Sequence, residues 1–318
     1  MRAAFINGKL VLPDEILTGK SLLINNGLIE GIVSGTPDDA NVIDAAGLYI
    51  APGFIDLHVH GGMRGDFMDG TEEAFRAAAK NCLSGGATTI YPTTVCASDE
   101  ALQTTFRIFR KLKNEHGLPH MPGLHLEGPY LAPEQVGAQN PEHLKLPVPQ
   151  HWETLLDNRD SIARVTAACE LPGALELGDQ LRRNGIVASI GHSNAEYTDV
   201  VEAVKHGYTH VTHLYSGMSA LHRKNAYRIL GLVESAFLLD ELTVEIIADG
   251  RHLPVELLRL ILKCKDHTAI SLVTDALRGS GLSEGSVIAL GGADKRNAVI
   301  ENGVAIMEDR CCFCGSVA

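Results

Sequence analysis

The alternation of apolar and polar positions changes its rhythm once along the chain, near residue 52. Before that point, short β-prone runs are broken by Asn7-Gly8 and Asn26-Gly27, both hairpin-turn dipeptides, so residues 1–51 read as a small all-β domain of β-sandwich type. Beyond it, apolar runs of strand length occur near 54–60, 88–93, 123–128, 164–169, 187–192, 210–214, 244–249 and 269–275. Stretches with helical periodicity lie between them, from Glu72 to Leu83, Asp99 to Leu112, Ala174 to Arg183, Ala195 to Lys205 and Val255 to Lys263. Eight strand signals with helices between them predict a (β/α)8 TIM-type barrel over residues 52–318. Residues 286–308, with Asn302-Gly303 at their centre, read as a β-hairpin after the eighth strand. A barrel closes with a helix after that strand, and Cys314-Gly315-Ser316-Val317-Ala318 reads as the lead-in to one that is missing.

Composition narrows the class. At 45% hydrophobic and 21% charged, with no apolar run long enough to span a bilayer, the chain is expected to be a globular protein without a membrane partner. Met1 to Gly8 lacks the apolar core of a secretion leader, which makes the cytoplasm the expected compartment. A formal charge of -12 argues against nucleic acid, whose phosphates are held by basic faces, yet leaves room for a small anionic substrate. Cys82, Cys96, Cys169 and Cys264 sit in apolar segments and read as reduced, mostly buried thiols; Cys311, Cys312 and Cys314 are crowded, without a second ligand pair nearby to complete a zinc site.

The chemistry collects at strand ends. In Pro52-Gly53-Phe54-Ile55-Asp56-Leu57-His58-Val59-His60 the period of two points His58 and His60 to one side. Alone, that pair could be two core histidines or the start of a metal site. Other strands also close on metal-competent or acid/base residues: Glu127 after Gly123-Leu124-His125-Leu126, His192 after Ile190-Gly191, His213 after His210-Val211-Thr212, and Asp275 after Val273-Thr274. A barrel whose C-terminal rim carries the reacting groups produces this layout.

Taken together, Pro52 to Gly61, His125-Leu126-Glu127-Gly128-Pro129, Gly191-His192-Ser193, Thr212-His213-Leu214-Tyr215, Ala248-Asp249-Gly250-Arg251-His252 and Val273-Thr274-Asp275-Ala276 resemble the N-acetylglucosamine-6-phosphate deacetylases of the amidohydrolase superfamily. The resemblance spans nearly the whole chain. It implies hydrolysis of the acetamide of N-acetylglucosamine 6-phosphate to glucosamine 6-phosphate and acetate. It further implies a principal metal site of Glu127, His192 and His213, and a second in which His58 and His60 share Glu127. Zinc is the expected ion, one or two per chain, with iron or another transition metal as alternatives. Asp275 is the implied general acid/base, the other reading of an Asp after a strand being a helix N-cap. For the sugar phosphate it points to His252, to the backbone at Ser216 and Gly217, and to Arg223 or Arg228 reaching in from the partner of a homodimer, unless the stretch Leu221 to Arg228 is only solvated surface.

Three features depart from the family pattern. Gly137-Ala138-Gln139 stands where a histidine commonly holds the acetyl carbonyl, so the Gln139 amide is the expected donor. Ser216-Gly217 replaces a common Asn-Ala, and family chains run on for several tens of residues past Ser316, which predicts unpaired edges in the small β domain and a partly bare barrel wall. The competing readings are a deacetylase for the galactosamine epimer, a cyclic-amide hydrolase, and an inactive remnant that binds sugar phosphate. Cyclic-amide hydrolases typically use a carboxylated lysine where this chain has Glu127.

Overall fold

The computed structural model describes residues 1–291 and 296–317. The chain divides into two compact units, Met1–Phe54 and Ile55–Ala318. In the first, four strands run in the order Leu28–Val33, Ser21–Asn25, Arg2–Ile6, Asn41–Asp44, and three more in the order Ile16–Leu17, Lys9–Val11, Tyr49–Ile50. An apolar cleft lined by Phe5, Leu22 and Ile24 of one sheet and Leu10, Val11 and Ile50 of the other separates them. Asn26 and Gly27, at φ 51° and 83°, make the expected two-residue hairpin turn. Asn7-Gly8 does not form a hairpin. It passes the chain from one sheet to the other, and a side chain at Gly8 would meet Ile50 Cδ1 at 2.3 Å.

The second unit is the barrel. Its strands are β1 (Phe54–Val59), β2 (Ala87–Pro92), β3 (Leu124–Glu127), β4 (Ile162–Ala167), β5 (Val187–Ile190), β6 (Tyr208–Val211), β7 (Thr243–Ile247) and β8 (Ile270–Val273). Strands β3 to β8 form one parallel sheet in sequence order, and β1 pairs with β2. Bridges Thr93↔His125 and Val59↔Ala276 close the ring at the C-terminal ends of the strands. Helices α1 (Glu72–Ser84) and α2 (Asp99–Leu112) start where Thr71 and Ser98 accept from backbone N–H groups three residues on. Their apolar stripes bury Phe75, Phe106 and Phe109 against the strands. Helices α4 (Ala174–Arg183), α5 (Tyr197–Lys205) and α7 (Val255–Cys264) fall where periodicity places them. Two are additions: α3 (Pro149–Leu156), which begins on a proline, and α6 (Leu232–Leu238), only seven residues long.

After β8 the chain builds an antiparallel sheet of β9 (Val287–Ala289), β10 (Asn297–Glu301), β11 (Val304–Met307) and β12 (Phe313–Ser316), with its own core of Leu277, Ile288, Leu290, Ile300 and Met307. Where one hairpin is expected over 286–308, β10 and β11 turn at Asn302 and Gly303 (φ 54° and 80°), and β9 pairs with β10 as a third strand. The expected lead-in to a helix at 314–318 is instead a strand as far as Ser316. There the Ser316 N–H donates to the Asp275 carbonyl at 2.9 Å, and the Leu277 N–H to the Ser316 carbonyl at 3.0 Å. No helix follows β8 among the described residues.

Candidate active site

Each rim residue arrives on the strand end that its position predicts. Glu127 is the last residue of β3; His192 and His213 lie two residues beyond β5 and β6, and Asp275 two beyond β8. His192, His213 and Asp275 adopt positive φ (47°, 28° and 48°). That region costs a non-glycine residue on the order of 1–3 kcal/mol and persists where the surroundings over-determine it, typically at functional sites. The left-handed turn at each strand end swings the side chain off the strand and into the barrel mouth.

There the side chains meet. Glu127 Oε1 lies 3.1 Å from His192 Nε2 and 2.9 Å from His213 Nε2, and the two imidazole nitrogens are 3.1 Å apart. On the other side His60 Nε2 is 3.3 Å from Glu127 Oε2, and His58 Nε2 is 3.2 Å from His60 Nε2 and 3.6 Å from Glu127 Oε1. Asp275 Oδ1 stands 3.2 Å from His60 Nε2 and 3.4 Å from His58 Nε2. All six are buried. Two trios, Glu127–His192–His213 and His58–His60–Glu127, each bring three ligand atoms within 4.8 Å of one another and share the carboxylate.

This donor set fits a divalent cation. Paired Nε2 atoms near 3 Å need a proton or a cation between them, and imidazole with carboxylate is the ligand chemistry of zinc sites. The electrostatics agree. Burial lowers the pKa of His58 and His60, but the surrounding carboxylates outweigh it: Asp275, Glu127 and Glu245 hold His58 well above its usual value, and Asp275 and Glu127 push His60 up to about 9. Glu127, which burial alone would raise, is drawn well below the carboxylate range by His58, His192 and His213. The same carboxylates that favour protonated imidazoles here would balance the charge of a cation.

The remaining candidates divide. Gln139, Ser216, Gly217 and His252 line the cavity of about 290 Å3 above the trios. Gln139 Nε2 donates to Glu127 Oε2 at 2.5 Å, and its Oε1 accepts from the Cys96 N–H at 2.8 Å, so one N–H of the amide is already committed to the Glu127 carboxylate. His252 Nδ1 is 2.6 Å from Asp249 Oδ2. Gly217 (φ 55°) packs over His192, whose Nδ1 a Cβ there would meet at 2.9 Å. Arg223 and Arg228 do not line this cavity. They sit opposite one another on an exposed two-stranded arm, His222–Lys224 with Tyr227–Ile229, and neither has an ion-pair partner among the described residues. Lys224 of the arm is held by Glu196 at 2.7 Å, and His222 Nε2 lies 3.7 Å from the same carboxylate.

Of the thiols, Cys82, Cys96 and Cys169 are buried as expected, but Cys264 is exposed. Cys312 and Cys314 on or beside β12 line the cavity, and the cysteines near the end join no metal-competent group among the described residues. Sequence reading missed Glu245 and Arg164, buried beneath the rim and paired with each other, and Asp66, which lines the cavity and which burial raises to about 6.

Residues 49–308 match the amidohydrolase family. An N-acetylglucosamine-6-phosphate deacetylase of Haemophilus influenzae is 31% identical over 284 residues, covering 88% of this chain and 73% of that protein. The chain belongs to this family of deacetylases. The crystal structure of the deacetylase from Pasteurella multocida superposes with a TM-score of 0.90 at 27% identity, covering 100% of this chain and 82% of that one. A mutant of the Mycobacterium smegmatis deacetylase, in complex with N-acetyl-D-glucosamine-6-phosphate, gives a TM-score of 0.87 at 29% identity and covers 100% and 81%. The chain shares the fold of the Pasteurella deacetylase, and its ring of eight strands is a TIM-type barrel. None of its described helices is long and apolar enough to cross a membrane.

Proposed function

We propose that the chain removes the acetyl group of N-acetylglucosamine 6-phosphate, giving glucosamine 6-phosphate and acetate. The observation that carries this reading is a single carboxylate, Glu127, shared by two histidine pairs and faced by Asp275, at the floor of a cavity near the lower end of the roughly 300–1,000 Å3 common for small ligands. Glu127, His192 and His213 would hold the principal ion, with zinc as the expected metal, and His58 and His60 with Glu127 a second. When bound, such an ion supplies a Lewis acid for the acetyl carbonyl and lowers the pKa of water.

The chain's own groups do the rest. Asp275, whose Oδ1 faces His60 Nε2 at 3.2 Å, is the carboxylate beside the cluster that belongs to neither trio. It accepts the proton of the attacking water and returns it to the departing nitrogen, which leaves poorly unless protonated. The second N–H of Gln139 is the donor assigned to the acetyl carbonyl. His252 and the backbone at Ser216 and Gly217 take the sugar and phosphate. An arginine of the exposed arm, Arg223 or Arg228, completes the phosphate site of a second copy in a homodimer, a reading supported by the pairing of the two residues across the arm and by the lack of an ion-pair partner for either among the described residues.

The test is acetate release from N-acetylglucosamine 6-phosphate by zinc-loaded protein, with the galactosamine epimer as comparison. Zinc-bound protein that releases no acetate from either would overturn the assignment.

A further inference from the structure

Below the rim, the barrel interior carries polar side chains to which the reading above gives no task. Glu245, in the middle of β7, is fully buried. Its Oε2 stands 3.0 Å from His58 Nδ1 and its Oε1 3.2 Å from His210 Nε2, and Arg164 Nη1 on β4 donates to the same Oε1. The other end of the guanidinium, Nη2, donates to His125 Nδ1 at 2.7 Å. A buried ion pair is weak support for a fold, since a well-packed apolar pair often serves as well. Its placement directly under one rim histidine asks for another reason.

Hydrogen-bond direction supplies one. Arginine has only donors, so Glu245 Oε1 is occupied by Arg164 and His210, and Oε2 is left as an acceptor aimed at His58. An acceptor at Nδ1 requires the proton there, and the neutral ring then carries its lone pair on Nε2, the atom that faces His60 and Glu127. His60 has no such guide among the described residues, for its Nδ1 is buried and without a hydrogen-bond partner there. In the other trio His192 is guided separately, its Nδ1 lying 2.7 Å from the Gln135 carbonyl.

We propose that Glu245, clamped by Arg164, is the positioning residue that fixes His58 as its Nδ1–H tautomer and thereby makes the His58–His60–Glu127 trio able to take a second divalent cation. The proposal rests on the metal reading of Glu127 given above. It predicts that Glu245 acts on one trio and leaves the other alone.

Glu245→Gln tests it. Arg164 and His210 both donate, so they draw the new amide oxygen to their side and leave the NH2 facing His58. That NH2 donates to Nδ1, moves the ring proton to Nε2, and closes the ligating nitrogen. The measurement is a titration of the metal-stripped full chain with Zn2+, read by calorimetry and by bound metal after gel filtration. The parent should take two ions. In the variant the first should bind as in the parent, whereas a general loss of packing would weaken both, and the second should bind about ten- to a hundredfold more weakly. If that variant does not fold, the double change Glu245→Leu with Arg164→Met removes both buried charges together, and it should show the same selective loss. A second ion held as tightly by the folded variant as by the parent overturns the proposal, and so does a parent that takes only one. A parent that takes no zinc overturns the metal reading itself, so the two failures are told apart.

Discussion

Replacing Asp275 by Asn is the most informative single change at this site, because the structure lets the charge be removed with little else. The two side chains have the same shape, and Asn adopts the positive φ of 48° at least as readily as Asp. The backbone is held independently of the side chain: its N–H donates to the His58 carbonyl at 2.8 Å and its carbonyl accepts from the Ser316 N–H at 2.9 Å. What disappears is a buried carboxylate 3.2 Å from His60 Nε2 and 3.4 Å from His58 Nε2, poised to take a proton at the centre of the cluster. A positioned general base is worth about 10²–10⁴ in rate, so kcat should fall at least a hundredfold, or roughly 2.7 kcal/mol of barrier. KM and the principal ion should change little, since Asp275 belongs to neither metal trio. The assay is acetate release at saturating substrate, with metal content and melting temperature measured on the same preparation. A variant that keeps its metal, its fold and a near-parental kcat would refute the assignment of Asp275 as the base and leave it a turn residue.

Three further outcomes follow from the same geometry. Glu127→Gln should empty both trios, because an amide oxygen lacks the charge that offsets the cation; zinc retained at parental stoichiometry would contradict the shared-carboxylate arrangement. Gly217→Ala should weaken zinc binding by roughly tenfold, since the new Cβ would stand 2.9 Å from His192 Nδ1 on a left-handed backbone, and unchanged affinity by titration would show that the loop yields freely. Zinc uptake should release protons at neutral pH: His60, at about 9 in the metal-free cluster, is charged there and must become neutral to ligate. Apparent affinity should therefore fall as pH drops below that value, and calorimetry in buffers of different ionisation enthalpy that found no proton release would overturn the electrostatic account.

The rim was legible in the sequence because a strand that ends on a lone titratable residue leaves a strong signature, and His58, His60, Glu127, His192, His213 and Asp275 all converge as that pattern predicts. The layer beneath was not. Arg164 sits within Ile162–Ala167 and Glu245 within Thr243–Ile247, where a single charge among apolar residues reads as an outward-facing position. Their pairing spans 81 residues of sequence and appears only once the barrel closes. The exposed arm escaped for the opposite reason: both of its faces meet solvent, so no apolar alternation marks it, and its turn uses Asn225 and Ala226 at positive φ without a glycine. Asn7-Gly8 misled because the dipeptide specifies a sharp turn and says nothing about which sheet receives the chain next.

The left-handed backbone at His192, His213 and Asp275 also bears on how this site can drift in evolution. Each position must satisfy a chemical demand and a conformational one together, and the residues that occupy this region at small cost are mainly glycine, asparagine, aspartate and histidine. A randomised library at the three codons, selected for folded protein alone, should therefore be enriched in those four residues and depleted of valine, isoleucine and threonine. Selection for acetate release on top of folding would then have few neighbours to choose from, so new activities on this scaffold would arise more readily through the cavity walls than through the strand-end turns.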